Sequence, residues 1–365
     1  MSVPSSNIPT SNMPSVGLGR DLTKGPNWIQ LAWSLVAPFV GLLVVGLLFG
    51  LIYPVGYPHL HRFLPEWMQL VMPGDWFLTP FRMSLIAKQT AIVGVGAIGM
   101  TVIIIGGGID LSVGSILALA AVVLAVSINA GMSPLLALVI ALAAGTAAGA
   151  VNGLLITRLQ LVPFIVTLGT MLAYRGLAER IANQTKVQAP NAPDWLSTLL
   201  NAPPQGSWRL VCTGVWIVVG LGIVVAAILR YTVFGRYVYA LGSNEATSRL
   251  CGINVNLMKV AIYAIGGLFM AVGGVFDFND AYKQGNPTSG LGLELKIIAA
   301  VVIGGGSLNG GRGSVLGSII GALTMTTLTS GCVYAKVSDP VQKIIIGAII
   351  VGAVAIDRFA HRGRE

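Results

Sequence analysis

Long uncharged apolar runs dominate the pattern. Residues 25–58 carry no charged side chain, and neither do residues 111–157, 47 in all. A helix rising 1.5 Å per residue needs about 20 apolar residues to cross about 30 Å of hydrocarbon, so each run exceeds a single crossing. Divided at their glycines, prolines and charged clusters, such runs predict ten spans: 29–53, 90–105, 113–128, 134–157, 163–174, 214–229, 260–276, 293–303, 314–330 and 341–356. The fifth and eighth are too short to cross as straight apolar helices. Either polar residues facing the interior extend them, or they are broken, and short Gly-interrupted spans point to a solute pathway.

Composition agrees with this pattern. Of 365 residues 55% are apolar and 10% charged, against about 25% charged in a soluble domain, which excludes a water-soluble globule. The 47 glycines suit close helix packing in lipid, where small residues let backbones approach. The fold class expected is therefore all-α: a polytopic membrane protein of about ten transmembrane helices. Residues 1–28, rich in Ser, Pro and Asn, read as a flexible tail before an uncleaved first span. Residues 29–356 form one transmembrane domain, and 357–365 a basic tail.

Charge orients the chain. An even number of spans puts both termini and the loop 230–259 on one side. That loop carries Arg230, Arg236, Arg249 and Lys259 against Glu245, and the termini add Arg20, Lys24, Arg358, Arg362 and Arg364. By the positive-inside rule this side is cytoplasmic. The loops 54–88 and 175–209 hold seven further basic residues, but long segments translocate with their charges. The net charge of +9 fits orientation and anionic headgroups; no basic stripe with interleaved aromatics suggests nucleic acid. Cys212, Cys251 and Cys332 have no metal-ligand spacing. Nothing resembles a zinc-protease or serine-hydrolase motif, and the three histidines are His59, His61 and His361. The sequon at Asn183 is too short a pattern to carry weight.

Two similar stretches stand out. VIIIGGGIDLSVGSIL starts at Val102 and VVIGGGSLNGGRGSVLGSI at Val301. Each ends an apolar helix on three glycines, makes a polar turn and opens another helix, either as an internal repeat or as two similar turns. The segment from Gly306 matches a phosphate-binding loop only loosely, with Arg312 where Lys belongs. In the first stretch, Asp110 would cost about 2.5–3.5 kcal/mol at the bilayer centre. It either caps the following helix, lines a watery path, or pairs with a cation such as Arg312. In the loop 230–259, Ser243 or Asn244 can cap a short helix with Glu245 in its first turn and Gly252 at its end. Such a helix either docks on a partner or lies solvated at the interface.

GGGIDLSVGS from Gly106, VPFIVTLGTMLAYRGLA from Val162, GSNEATSRLCGINV from Gly242 and LELKIIAAVVIGGGSLNGGRGSVLGS from Leu293 together resemble the integral membrane permease of ribose- and galactose-type ABC sugar importers, over roughly residues 90–357. Branched-chain amino-acid permeases are related to that family. The resemblance implies a ten-helix permease in the bacterial inner membrane, paired with a second copy. It also implies two cytoplasmic ATPase subunits that carry ATP and Mg, a periplasmic solute-binding protein, and no cofactor in this chain. Asn244, Glu245, Ala246, Thr247 and Gly252 match the coupling helix that seats in the ATPase. Candidates for the translocation path are Asp110, Ser112, Ser115, Thr167, Asn309 and Arg312. The sequence departs from the family at Lys296, where an acid is common, and in GGGSLNGG, where GGTSL is usual. An ion-coupled transporter or channel would want several intramembrane acids, and only Asp110 and Glu294 qualify; an intramembrane enzyme would want a nucleophile or metal motif.

Overall fold

The computed structural model describes residues 38–47, 80–201 and 211–361. The tail 1–28, His59, His61 and the charged side chains of the C-terminal tail lie outside the described residues, as does most of the first expected span. The helices in chain order are α1 Pro38–Leu47, α2 Pro80–Ile105, α3 Val113–Asn129, α4 Pro134–Leu159, α5 Pro163–Ile181, α6 Asp194–Ser197, α7 Thr213–Tyr231, α8 Val233–Ser243, α9 Glu245–Leu250, α10 Val255–Asp280, α11 Leu293–Ile303, α12 Val315–Tyr334 and α13 Asp339–His361. The two-residue strands β1 Val187–Gln188 and β2 Gln284–Gly285 pair antiparallel. Every expected span from the second to the tenth falls on a helix. Among the described residues five helices, α2, α4, α7, α10 and α12, are long and apolar enough to cross a membrane. The chain is an all-α, multi-pass membrane protein.

Burial separates centre from periphery. The apolar window of α2 is 78% buried and that of α12 72%, whereas those of α4 and α7 are each 28% buried and turn Val139, Val151, Ile223 and Val224 outward. Helix α3, 17 residues long, is buried on all sides, as a helix apolar all round must be. Close approach depends on small residues. Along α4, Gly145, Gly149 and Gly153 face α10, where a Cβ at Gly149 would strike the Tyr263 carbonyl and one at Gly153 the Val260 backbone.

The fifth and eighth spans resolve differently. Helix α5 continues past Tyr174 to Ile181, with Thr167, Thr170 and Tyr174 turned inward: the Tyr174 hydroxyl donates to the Ala148 carbonyl at 2.8 Å. The eighth is broken. Helix α11 has only 11 residues, and the chain reaches it through a non-helical stretch, 281–292, laid along α3. Gly285 lies against Ala121, Val122 and Ala125, and Gly290 lies against Gly114. Irregular backbone at membrane depth is tolerated only where protein satisfies its polar groups. Here Arg175 of α5 does so, donating from Nη1 to the Pro287 carbonyl at 2.6 Å and the Ser289 carbonyl at 2.5 Å. At the C-terminus the backbone stays helical to His361, five residues past the expected end of the span.

Candidate functional site

Two polar regions occupy opposite ends of the helices. At one end α2 and α11 stop on their glycine triplets. Gly107 and Gly305 adopt φ of +80° and +87°, conformations glycine reaches without a Cβ penalty. The following amides then close the helix ends: Gly108 donates to Ile103 at 3.0 Å, and Gly306 to Val301 at 2.8 Å. The two similar stretches are thus one helix-terminating turn used twice. The turns also meet. Gly311 donates to the Ile105 carbonyl at 2.8 Å, and Gly242 of α8 is pressed between them, where a Cβ would overlap the Ile105 carbonyl and the Gly311 nitrogen. In the segment from Gly306, the amides of Ser307, Gly310 and Gly311 all donate to backbone carbonyls, so they are committed to the turn.

Helix α9 sits on this junction. Asn244 rather than Ser243 is its cap, with Oδ1 accepting from the Thr247 amide at 2.9 Å. Gly252, at φ +82°, ends it, and Ile253 donates back to the Ser248 carbonyl at 3.1 Å, a Schellman closure. Glu245 bonds Lys259 of α10 at 2.8 Å and Arg249 at 3.3 Å, bracing α9 against α10. Ala246, Thr247, Cys251 and Gly252 are exposed, and Leu250 is 88% exposed. A cavity of about 240 Å³ opens between α9 and the turns, lined by Gly107, Ser243, Lys259, Tyr263 and Asn309 among others. In α8 the Tyr239 hydroxyl donates to the Gly313 carbonyl at 3.1 Å, and burial pushes its pKa up.

Asp110 lies inside the first turn, fully buried. Its Oδ1 accepts from the Ser112 amide at 2.7 Å and the Ser112 hydroxyl at 2.6 Å, in an Asx turn that opens α3. Asn152 of α4 donates to Oδ2 at 3.4 Å and to the Ser112 hydroxyl at 2.8 Å, and Tyr174 donates to Asn152 at 3.0 Å. Thr167 and Tyr263 reach the Ile109 carbonyl at 3.4 and 3.3 Å. The carboxylate therefore organises a buried knot joining α3, α4, α5 and α10. Of the pathway candidates, Asp110, Ser112, Ser115 and Thr167 are at 0% exposure and line neither cavity described here. Asn309 lines the smaller cavity, and Arg312 is exposed on the second turn.

At the opposite end, a chamber of about 580 Å³ lies between α2, α10, α11, α12 and α13, with Gln89, Asp277, Lys296, Thr329 and Gln342 in its wall. Sequence reasoning missed it because the tenth-helix acid Asp277 reads as loop once the span is ended at residue 276. In the structure α10 continues to Asp280, so Asp277 joins Asp110 and Glu294 as an acid within the helical body. Asn152, a polar residue inside an uncharged run, was the signal available for the Asp110 knot.

The sequence profile of the family described as branched-chain amino acid transport system / permease component matches residues 82–354. The chain belongs to this family. It is 40% identical to the ribose import permease protein of Escherichia coli (strain K12) over 287 residues, 77% of this chain and 87% of that protein. It is 35% identical to the fructose import permease protein of Rhizobium meliloti over 297 residues, 80% and 82% of the two chains. Against the galactofuranose transporter permease protein of Escherichia coli (strain K12) it is 34% identical over 317 residues, 83% and 89%. No solved structure matches the chain significantly. The permease resemblance read from the four motifs is thus confirmed.

Proposed function

We propose that this chain is the transmembrane permease of an ATP-driven importer that moves a monosaccharide, or a related polyol, into the cytoplasm. The observation that carries this reading is the 34–40% identity, over most of both chains, to permeases named for ribose, fructose and galactofuranose. Further features belong to the same reading: ten spans with both termini cytoplasmic, a second permease copy, two ATPase subunits holding ATP and Mg, and a periplasmic binding protein. Helix α9 supports the placement of the ATPases. It is too short to cross, closed at both ends, braced through Glu245, and exposes Ala246, Thr247 and Leu250 in the loop 230–259, where four basic residues face one acid. The chamber at the other end then faces the binding protein. The family description gives branched-chain amino acids as the second reading.

Uptake of radiolabelled D-ribose, D-fructose and L-leucine, in cells with and without the gene, tests the reading. We expect energised uptake of a sugar that disappears with the gene and returns with it; gene-dependent leucine uptake without sugar uptake would select the amino-acid reading. Glu245→Lys removes the brace to Lys259 and sets three cations side by side, while Gly252→Pro destroys the closing turn. Both should leave folded permease in the membrane but reduce ATPase stimulation. Unchanged transport in both would remove α9 from the coupling path.

A further inference from the structure

We propose that the cavity of about 240 Å³ beneath α9 is a product site. It takes a small uncharged polyhydroxyl molecule from the cytoplasm and, when filled, holds α9 against the glycine turns and slows the transporter. The proposal rests on the transport reading above, the cytoplasmic placement of α9 included, and adds a regulation to it. The volume is below the roughly 300–1,000 Å³ typical of drug-sized ligand sites, which sets the occupant at about the size of a monosaccharide.

The wall selects by what it leaves uncommitted. Its two ionised side chains, Glu245 and Lys259, bond each other at 2.8 Å, so neither a cation nor an anion meets an unopposed charge. The groups that remain are neutral. The Ser243 hydroxyl and the Asn309 amide make no hydrogen bond among the described residues, and the Asn244 side chain spends only its Oδ1, on the Thr247 amide. All three residues are exposed, so a solute reaches them. A hydroxyl both donates and accepts, and an amide does so through its two ends, so neighbouring hydroxyls on one molecule can meet all three. Gly107, also exposed, brings bare backbone to the same wall.

The cavity bridges two parts of the chain. Ser243, Asn244 and Glu245 stand at the junction of α8 and α9, whereas Gly107 and Asn309 belong to the two glycine turns. A molecule bound across them touches both, and it loses one set of contacts if α9 moves away from the turns. A ligand shifts an equilibrium by its differential affinity for the two states, so the bound molecule favours the arrangement described here. By linkage, a nucleotide state that moves α9 weakens the bound molecule in turn. The imported solute accumulates on this face, so occupancy rises as import succeeds.

The test uses the assembled transporter in proteoliposomes, with its ATPases outward and the loaded binding protein trapped inside. The sugar it carries, identified among D-ribose, D-fructose and D-galactose by uptake, should lower ATP hydrolysis several-fold when added outside at millimolar concentration. L-Leucine or sodium chloride at the same concentration should not. Ser243→Val and Asn309→Leu each remove one uncommitted polar group at similar volume. Each should raise the inhibitory concentration about three- to tenfold, as loss of one hydrogen bond would, read against its own rate without added sugar. Hydrolysis indifferent to the sugar, in vesicles that import it, would overturn the product site and leave the transport reading standing. Inhibition that either assembled variant leaves untouched would place the effect elsewhere, and equal inhibition by leucine would remove the selectivity for hydroxyls; both overturn the proposal. If no sugar is imported, the transport reading falls with it.

Discussion

The two ends of the helix bundle solve one problem in different ways. Each must hold irregular backbone among membrane helices, where unsatisfied amides and carbonyls are expensive. At the α9 end the solution is backbone on backbone: glycine turns close α2 and α11, dock on each other through Gly311 and Ile105, and admit Gly242 between them. At the chamber end it is side chain on backbone, with Arg175 gripping the carbonyls of Pro287 and Ser289 while Glu294, Glu179 and Asp277 surround its charge. The first arrangement leaves about 240 Å³ and the second about 580 Å³. Close-packed backbone transmits a push with little slack, as the coupling role proposed for α9 would need. Long side chains can keep a crossing satisfied around open volume.

The sharpest way to break this contrast is to add one methyl group at the tight end. Gly242 has an ordinary helical conformation, so its need for glycine is purely one of space, and the obstacles are backbone atoms that cannot rotate away. Overpacking typically costs about 1–3 kcal/mol and more where relief is blocked, and Gly242→Ala should exceed about 3 kcal/mol, seen as loss of monodisperse protein in detergent. Gly220 of α7, with nothing within 4 Å of a Cβ, is the control, and its Ala variant should stay within about 0.5 kcal/mol of wild type. Equal behaviour of the two would dissolve the argument for backbone contact.

At the chamber end the corresponding variant is Arg175→Met. It strands the Pro287 and Ser289 carbonyls, and hydrogen bonds to charged groups are worth about 1.5–3 kcal/mol, so a loss near 3 kcal/mol is expected. Residues 281–292 should also exchange their amide hydrogens faster than α3 does. Arg175→Lys keeps the charge without the planar fork and should fall between. If exchange in 281–292 is unaltered in Arg175→Met, the crossing is held by its packing against α3 instead.

The Asp110 knot ties the tight end to α4 and α5, and its carboxylate is the next test. Asp110→Leu leaves the Ser112 amide and hydroxyl without their shared acceptor, at about 2 kcal/mol. Asp110→Asn keeps one acceptor oxygen and should cost under about 1 kcal/mol. A double-mutant cycle with Asn152→Ala should show coupling above about 0.5 kcal/mol, whereas one with Arg312→Gln should be additive. The reverse result would restore the ion pair that the sequence left open.

What the sequence made legible follows from the range of each interaction. Caps and closures such as Asn244 and Gly252 act over three to five residues, so their residue types alone announce them. The glycine triplets likewise showed where α2 and α11 stop. The long-range partner of Asp110 did not show, because Asn152, with Tyr174 behind it, lies on another helix and no periodicity marks it. Arg175 and Asp277 were misread for a related reason. Polar residues that end a hydropathy run look the same whether they face water or grip a buried loop, and only tertiary packing distinguishes the two cases.

The smallest predicted effect concerns Tyr239, whose hydroxyl reaches the second glycine turn from α8. Its hydroxyl donates to Gly313 at 3.1 Å, and an ordinary hydrogen bond contributes about 0.5–1.5 kcal/mol, so Tyr239→Phe should lose about 1 kcal/mol or less at neutral pH. Burial raises this phenol above its usual value, which fixes the sign of the pH dependence. The unfolded chain releases the proton near pH 10, at about the ordinary value, before the folded one does. The Tyr239 contribution is therefore complete below about pH 10 and is lost as pH rises through the folded value. The stability gap between wild type and Tyr239→Phe should hold across neutral pH and narrow above about pH 10. A gap that stays constant into strong alkali would mean the phenol is not held protonated by its surroundings. A gap as large as that of Arg175→Met would mean the tight end leans on side chains after all, and the contrast between the two ends would fail there.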